Sequence, residues 1–187
     1  MRIALFYYDG FSGFESVLVG LLFKQHDFIS VALENREYIS EERQRYCVDS
    51  VIRDVDVDSI DLLVIPGGEP IPLIENRELK SFVEDLLRRN KKVAGICGGS
   101  CILAGFGVLK GKRCTGLGSG VDSSKTKYYD YYSGSTISDE HVVVDGNIIT
   151  AQGQAYVEFA VELARQMGLI ESEEEYRQTL RWFKNIR

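Results

Sequence analysis

The sequence predicts an α/β fold built on a largely parallel central sheet with a small β-hairpin. Three observations carry that prediction. Short apolar runs bounded by turn residues alternate with stretches of helical periodicity. Two of those runs, Leu62–Ile65 and Lys92–Ile96, lead directly into glycine pairs. The length of 187 residues, with 44% hydrophobic and 27% charged residues, suits one soluble domain with a sizeable core.

Taken in order, Arg2 to Tyr8 reads as a buried strand closed by an Asp9-Gly10 turn. Phe14, Val17, Leu18, Leu21 and Leu22 follow at helical spacing, and Phe28 to Leu33 reads as a second strand. Residues 34–60 have no clear period and read as short strands and turns. Leu62–Ile65 is a continuous apolar run, as a central strand covered on both faces requires, and Pro66-Gly67-Gly68 ends it. Leu79, Phe82, Val83, Leu86 and Leu87 mark a helix that ends near Asn90. Lys92 to Ile96 is a further strand, followed by Cys97-Gly98-Gly99 and an apolar helix from Ser100 to Phe106.

The stretch from Gly116 to Ser135 is rich in Gly, Ser and Tyr and reads as a long surface loop with a short helix. Val142–Val144 and Ile148–Thr150 flank Asp145-Gly146-Asn147 as a β-hairpin. Tyr156 to Met167 reads as a helix stopped at Gly168. Residues 171–187 carry acids first and bases later, the charge order of a helix macrodipole, which predicts a C-terminal helical extension with Tyr176, Leu180 and Phe183 inward. Residues 1–187 are thus expected to form a single domain.

The formal charge of −6 and the lack of a basic block argue against nucleic acid or an anionic membrane as partner. No apolar run reaches the roughly 18 residues of a spanning helix, and no signal-peptide pattern opens the chain. The four cysteines, 47, 97, 101 and 114, form no C-x-x-C, so neither a zinc site on that spacing nor any other metal is expected, and a reduced, cytoplasmic location is. Gly116-Leu117-Gly118-Ser119-Gly120 lacks the ending of a phosphate loop, and no cofactor motif is present.

The sharpest chemical signal is Gly95-Ile96-Cys97-Gly98-Gly99 between a strand and a helix. It matches the G-x-S-x-G elbow with Cys in the Ser position. There the thiol meets the free N–H groups and dipole of the following helix, which favour thiolate, and the Gly98 N–H is aimed at an oxyanion. The plain alternative is a small core hydrophobe. One N–H of Gly67 or Gly68 is a second oxyanion donor if the strand end is more than a Pro-Gly turn. Glu15 by itself reads as a favourable first-turn carboxylate. Cys101, one helical turn beyond Cys97, and Cys114 read as core thiols. Tyr128, Tyr129, Tyr131 and Tyr132 suit a pocket wall, a dimer surface or a plain exposed loop.

Together these pieces resemble the DJ-1/PfpI superfamily over nearly the whole chain. The resemblance rests on Asp9-Gly10-Phe11 followed by Glu15, on Pro66-Gly67-Gly68, on Ala94 to Gly99, and on the late hairpin leading into Gln152-Gly153. It implies a flavodoxin-like three-layer sandwich, a homodimer, Cys97 as nucleophile and Glu15 as its protonated carboxyl partner. It also implies oxyanion donors at Gly68 and Gly98, and no cofactor. Protease-like members place a His directly after the cysteine, where this chain has Gly98. Another branch draws a His from a position that, by spacing back from Asp145-Gly146, falls near Gly134. His26 and His141 are expected at the surface, so no Cys–His–acid triad and no peptidase activity are expected. A Cys–Glu pair similar to those of hydratase, glyoxalase-like and oxidation-sensing members remains. The expected partner is therefore a small electrophilic substrate or an oxidant; the third reading is a scaffold serving a protein partner.

Overall fold

A computed structural model describes residues 1–116 and 127–185. Its centre is a seven-stranded sheet in the order β10-β11-β7-β6-β1-β2-β5. The strands are β1 (Arg2–Phe6), β2 (Asp27–Ala32), β5 (Ser50–Val51), β6 (Leu62–Ile65), β7 (Lys92–Ile96), β10 (Val142–Asp145) and β11 (Ile148–Ala151). Every pairing is parallel except that of β10 with β11, the hairpin expected around Asp145-Gly146-Asn147. Gly146 takes a φ of 63°, the left-handed conformation that such a tight turn requires.

Alternation along the strands assigns two cores. Ile3 and Leu5 of β1, with Leu62 and Val64 of β6, face α1 (Phe14–Leu22) and α5 (Tyr156–Gln166). Ala4, Phe6, Leu63 and Ile65 face the other way, among residues of α2 (Ile71–Ile74), α3 (Arg77–Arg88) and α4 (Gly98–Gly105). Both faces of β6 are therefore covered, which is why Leu62–Ile65 is apolar throughout and fully buried. α6 (Glu173–Lys184) lies on α5, with Tyr176, Leu180 and Phe183 against the core as expected, while Trp182 is exposed. Among the described residues no helix is long and apolar enough to cross a membrane.

Some boundaries differ from the sequence reading. α4 begins at Gly98 rather than Ser100, and the second strand spans Asp27–Ala32. Residues 34–60 resolve into β3 (Tyr38–Ile39) paired with β4 (Arg45–Tyr46), the edge strand β5 and two 3-10 turns. A further two-strand ladder joins β8 (Arg113–Cys114) to β9 (Thr136–Ile137). Of the loop expected over 116–135, residues 129–132 form a 3-10 turn. Residues 117–126, including most of Gly116 to Gly120, lie outside the described residues.

Candidate active site

β1 is flanked by β2 on one side and β6 on the other, so the chain reverses its direction of winding there. The crevice beyond the carboxyl ends of such strands is where parallel sheets place ligands. Three segments meet in it: the turn after β1 that opens α1, the Pro66-Gly67-Gly68 turn after β6, and Cys97 after β7.

Cys97 has φ 54° and ψ −121°, a conformation rarely open to a residue with a side chain and worth about 1–3 kcal/mol of strain. The surrounding backbone imposes it. Cys97 N–H donates to Ala151 O of β11 at 2.9 Å, and Ser100 Oγ donates to Gly95 O at 2.7 Å. Gly98 must be glycine, because a Cβ there would lie 2.1 Å from the Gly68 carbonyl oxygen. The two oxyanion candidates, Gly68 and Gly98, are thus in backbone contact, and the N–H of each faces the Cys97 sulfur.

Glu15, the second residue of α1, is only 1% exposed. Its Oε2 accepts the Gly67 N–H at 2.6 Å, and its carboxyl is hydrogen-bonded to the Cys97 thiol. The structure therefore brings Cys97, Glu15, Gly68 and Gly98 together. Of the two glycines left open as second donor, Gly68 faces the thiol, while the Gly67 N–H is engaged by Glu15. Burial pushes the Glu15 carboxyl up from 4.5 to about 7, against the pull of the Gly67 N–H, with Glu41 and Glu42 adding to the rise.

The expectation that the helix N-terminus simply favours thiolate needs correction. Burial, and then the charge of Glu15, push the Cys97 thiol up to about 11, while the Gly98 and Gly68 N–H groups pull it down. The two groups repel each other's charge and titrate as a pair. Between about pH 7 and pH 11 that pair holds one proton and one negative charge.

All four residues line a cavity of about 660 Å³. Phe14, Pro70 and Tyr128 give it apolar walls, and Ser12, Lys127 and Gln154 add polar groups. Lys127 Nζ lies 3.2 Å from Glu69 Oε2, and Tyr128 donates to Glu69 at 2.9 Å. Neither histidine lines the cavity. His141 Nδ1 sits at the surface 3.1 Å from Glu158, and His26 lies beside Phe23. Gly134 faces Lys110 instead of the cavity. Cys101 and Cys114 are buried core thiols, although Cys101 also touches the cavity. Tyr132 is buried, and Tyr129 and Tyr131 are exposed. Among the described residues no cluster of three His, Cys, Asp or Glu side chains could hold a metal.

Sequence reasoning missed three participants. Gly153 is one: a Cβ there would lie 3.1 Å from Cys97 Sγ and 3.0 Å from Glu15 Oε1. Tyr8 and Ser12 are the others, gripping the Gly67 carbonyl from behind. The only sequence signal for them is their place just after β1, whose end faces this crevice.

Comparison with known proteins identifies the family of the chain. Residues 1–166 match the DJ-1/PfpI family. A protein named deglycase from Thermococcus kodakarensis is 28% identical over 155 residues, which are 81% of this chain and 90% of that protein. An isonitrile hydratase from Pseudomonas putida is 30% identical over 116 residues, 60% of this chain but only 47% of the hydratase. The crystal structure of a DJ-1 superfamily protein from Agrobacterium tumefaciens superposes with a TM-score of 0.82 at 27% identity, covering all of both chains. By its sequence match and its fold, this chain belongs to the DJ-1/PfpI family.

Proposed function

We propose that this protein is a cofactor-free cysteine enzyme acting on a small electrophile, by hydrolysis, hydration or a glyoxalase-like reaction. One observation carries the reading: a buried carboxyl, a thiol on a strained turn and two inward N–H groups meet in one cavity. In the proposed first step the Cys97 proton passes to the Glu15 carboxylate as sulfur bonds to the electrophilic carbon. The displaced π electrons settle on the carbonyl oxygen, or its equivalent, between the Gly68 and Gly98 N–H groups. Water then adds to that carbon (after a proton shift between adjacent carbons in the glyoxalase-like case), the C–S bond breaks with its electron pair returning to sulfur, and Glu15 passes its proton on, so that product and free thiol leave the cycle. With Glu15 near 7, both directions of transfer are accessible at neutral pH. The mainly apolar wall, with its lysine already paired with Glu69 and with Glu41 also lining it, disfavours an anionic substrate. The absence of a histidine from the cavity wall disfavours peptide hydrolysis.

The same geometry supports a second reading, oxidation of Cys97 by peroxide to a sulfinate held by Glu15 and the two N–H groups, without turnover. A screen of aldehydes, isonitriles and peroxide against wild type and Cys97→Ser separates the two. Catalytic turnover lost in Cys97→Ser supports the enzyme. Stoichiometric oxidation of Cys97 alone supports the sensor, and activity retained in Cys97→Ser refutes both.

We infer a homodimer from the outer face of α1, where Phe14, Val17 and Leu21 are 43%, 62% and 43% exposed. A second copy would cover this apolar stripe, which begins at the cavity wall. Four free thiols suit a reducing compartment such as the cytoplasm.

A further inference from the structure

The geometry points to Tyr8 as a positioning residue whose hydroxyl, with the Ser12 N–H, sets the Gly67–Gly68 peptide so that the Gly68 N–H faces the Cys97 sulfur. The inference rests on the reading of Cys97 as the reacting thiol.

The peptide unit joining Gly67 to Gly68 is planar, so its C=O and its N–H point in opposite directions. Fixing the oxygen therefore fixes the hydrogen. The two glycines on either side offer little resistance of their own to rotation of this unit, since neither carries a Cβ. Some outside contact must hold it. Tyr8 Oη lies 2.6 Å from Gly67 O, and Ser12 N–H donates to the same oxygen at 2.8 Å. On the opposite side the Gly68 N–H faces Cys97. The preceding N–H, that of Gly67, is held by Glu15 at 2.6 Å. Every polar direction around Gly67 is thus assigned, one of them by Tyr8.

Tyr8 is built to hold this contact. It is 6% exposed, and its ring is fixed against Phe6 and Phe11. Its oxygen also lies 3.1 Å from Pro66 O, so the single phenol proton has only carbonyl acceptors in reach. Burial, reinforced by Glu15 and Cys97, keeps the phenol protonated far above its ordinary range, so it stays a donor at every working pH. A Cβ on Gly68 would lie 2.9 Å from this hydroxyl, so the close approach of the turn to Tyr8 requires glycine at position 68. Donation into the carbonyl also polarises the peptide and strengthens its N–H as a donor to sulfur or to an oxyanion.

Tyr8→Phe keeps the ring and removes the donor. Cysteine alkylation by iodoacetamide, read by peptide mass spectrometry across pH, tests it directly. Cys97 should react roughly two- to tenfold more slowly at pH 8, the range expected for one hydrogen bond, with its pH midpoint displaced upward. Exposed Cys47 is the internal standard and should not change. Tyr38→Phe, which removes another buried hydroxyl, one that hydrogen-bonds to Glu34 and not to Gly67, should leave Cys97 at the wild-type rate. A reactive wild-type Cys97 whose rate and midpoint are the same in Tyr8→Phe overturns the role of Tyr8 alone. A wild-type Cys97 that is inert over the whole range overturns the reading of the thiol and this inference with it. Should Tyr8→Phe not fold, the wild-type protein still decides. A doubly hydrogen-bonded Gly67 carbonyl carbon should resonate downfield of an ordinary exposed glycine in its NMR spectrum, and an ordinary shift overturns the proposal.

Discussion

Replacing Glu15 by Gln should stabilise the protein, and only at the higher pH. The wild-type carboxyl is held at about 7 in the fold against 4.5 when free. The folded state therefore binds this proton more tightly than the unfolded chain. Below pH 4.5 both states are protonated, and the group contributes nothing to stability. As pH rises to about 7 the unfolded chain loses its proton while the fold keeps it, so stability falls. The span of about 2.5 pH units corresponds to about 3 kcal/mol. Most of it, about 2–3 kcal/mol, accrues between pH 5 and pH 8. Gln has nearly the same shape, can still accept the Gly67 N–H through its Oε1, and does not ionise. Urea unfolding of both proteins at pH 5 and pH 8 reads the effect as a difference of differences. The gap between Glu15→Gln and wild type should shift in favour of the variant by about 2–3 kcal/mol from pH 5 to pH 8. A gap that is the same at both pH values would refute the reasoning, because it would show that Glu15 ionises freely in the fold.

Alkylation of Cys97 in the wild type should rise through a midpoint near pH 7, where the Cys–Glu pair loses its first proton, and Glu15→Gln should remove that step; a single step near the ordinary thiol value in both proteins counts against coupling. Gly153→Ala places a methyl 3.1 Å from Cys97 Sγ, so turnover should drop at least about tenfold with a stability loss of about 1–3 kcal/mol, checked by kinetics beside thermal unfolding. Wild type should sediment as the proposed dimer and Val17→Lys, at a 62% exposed position, as a monomer with thermal stability within about 0.5 kcal/mol; a variant that stays dimeric places the interface elsewhere, and a monomeric wild type overturns the dimer.

The fold was legible wherever burial is two-sided or strictly periodic. Leu62–Ile65 has to be apolar at every position because helices cover both faces of β6. Leu79, Phe82, Val83 and Leu86 recur because only one face of α3 is buried. Residues 34–60 were not legible, because no hydrophobic period generates β3, β4 or β5. Local polar bonds shape that stretch: Asp56 caps the Asp58 N–H, and the Tyr38 hydroxyl bonds Glu34. The start of α4 was hidden for a related reason. Gly98 and Gly99 are poor helix formers, yet both are required by contact with neighbouring backbone.

The candidate site was legible in its residue types but not in its electrostatics or its supports. Cys97 and its glycines announce a turn, since few other sequences fit one. That the thiol is pushed up instead of down depends first on its own burial and then on the charge of Glu15 beside it, which no local pattern records. Tyr8 acts across 59 positions through a main-chain oxygen, so nothing in its own neighbourhood marks it. These same features argue for function. A strained Cys97 backbone and a desolvated carboxyl each cost the fold about 1–3 kcal/mol, and both costs fall within one cavity. Gln at position 15 would avoid one of them, and a glycine at position 97 would avoid the other. A fold that needed only to be stable has no use for either residue. Chemistry does, because the strain exposes the sulfur to the cavity and the carboxyl sets its proton within reach at neutral pH.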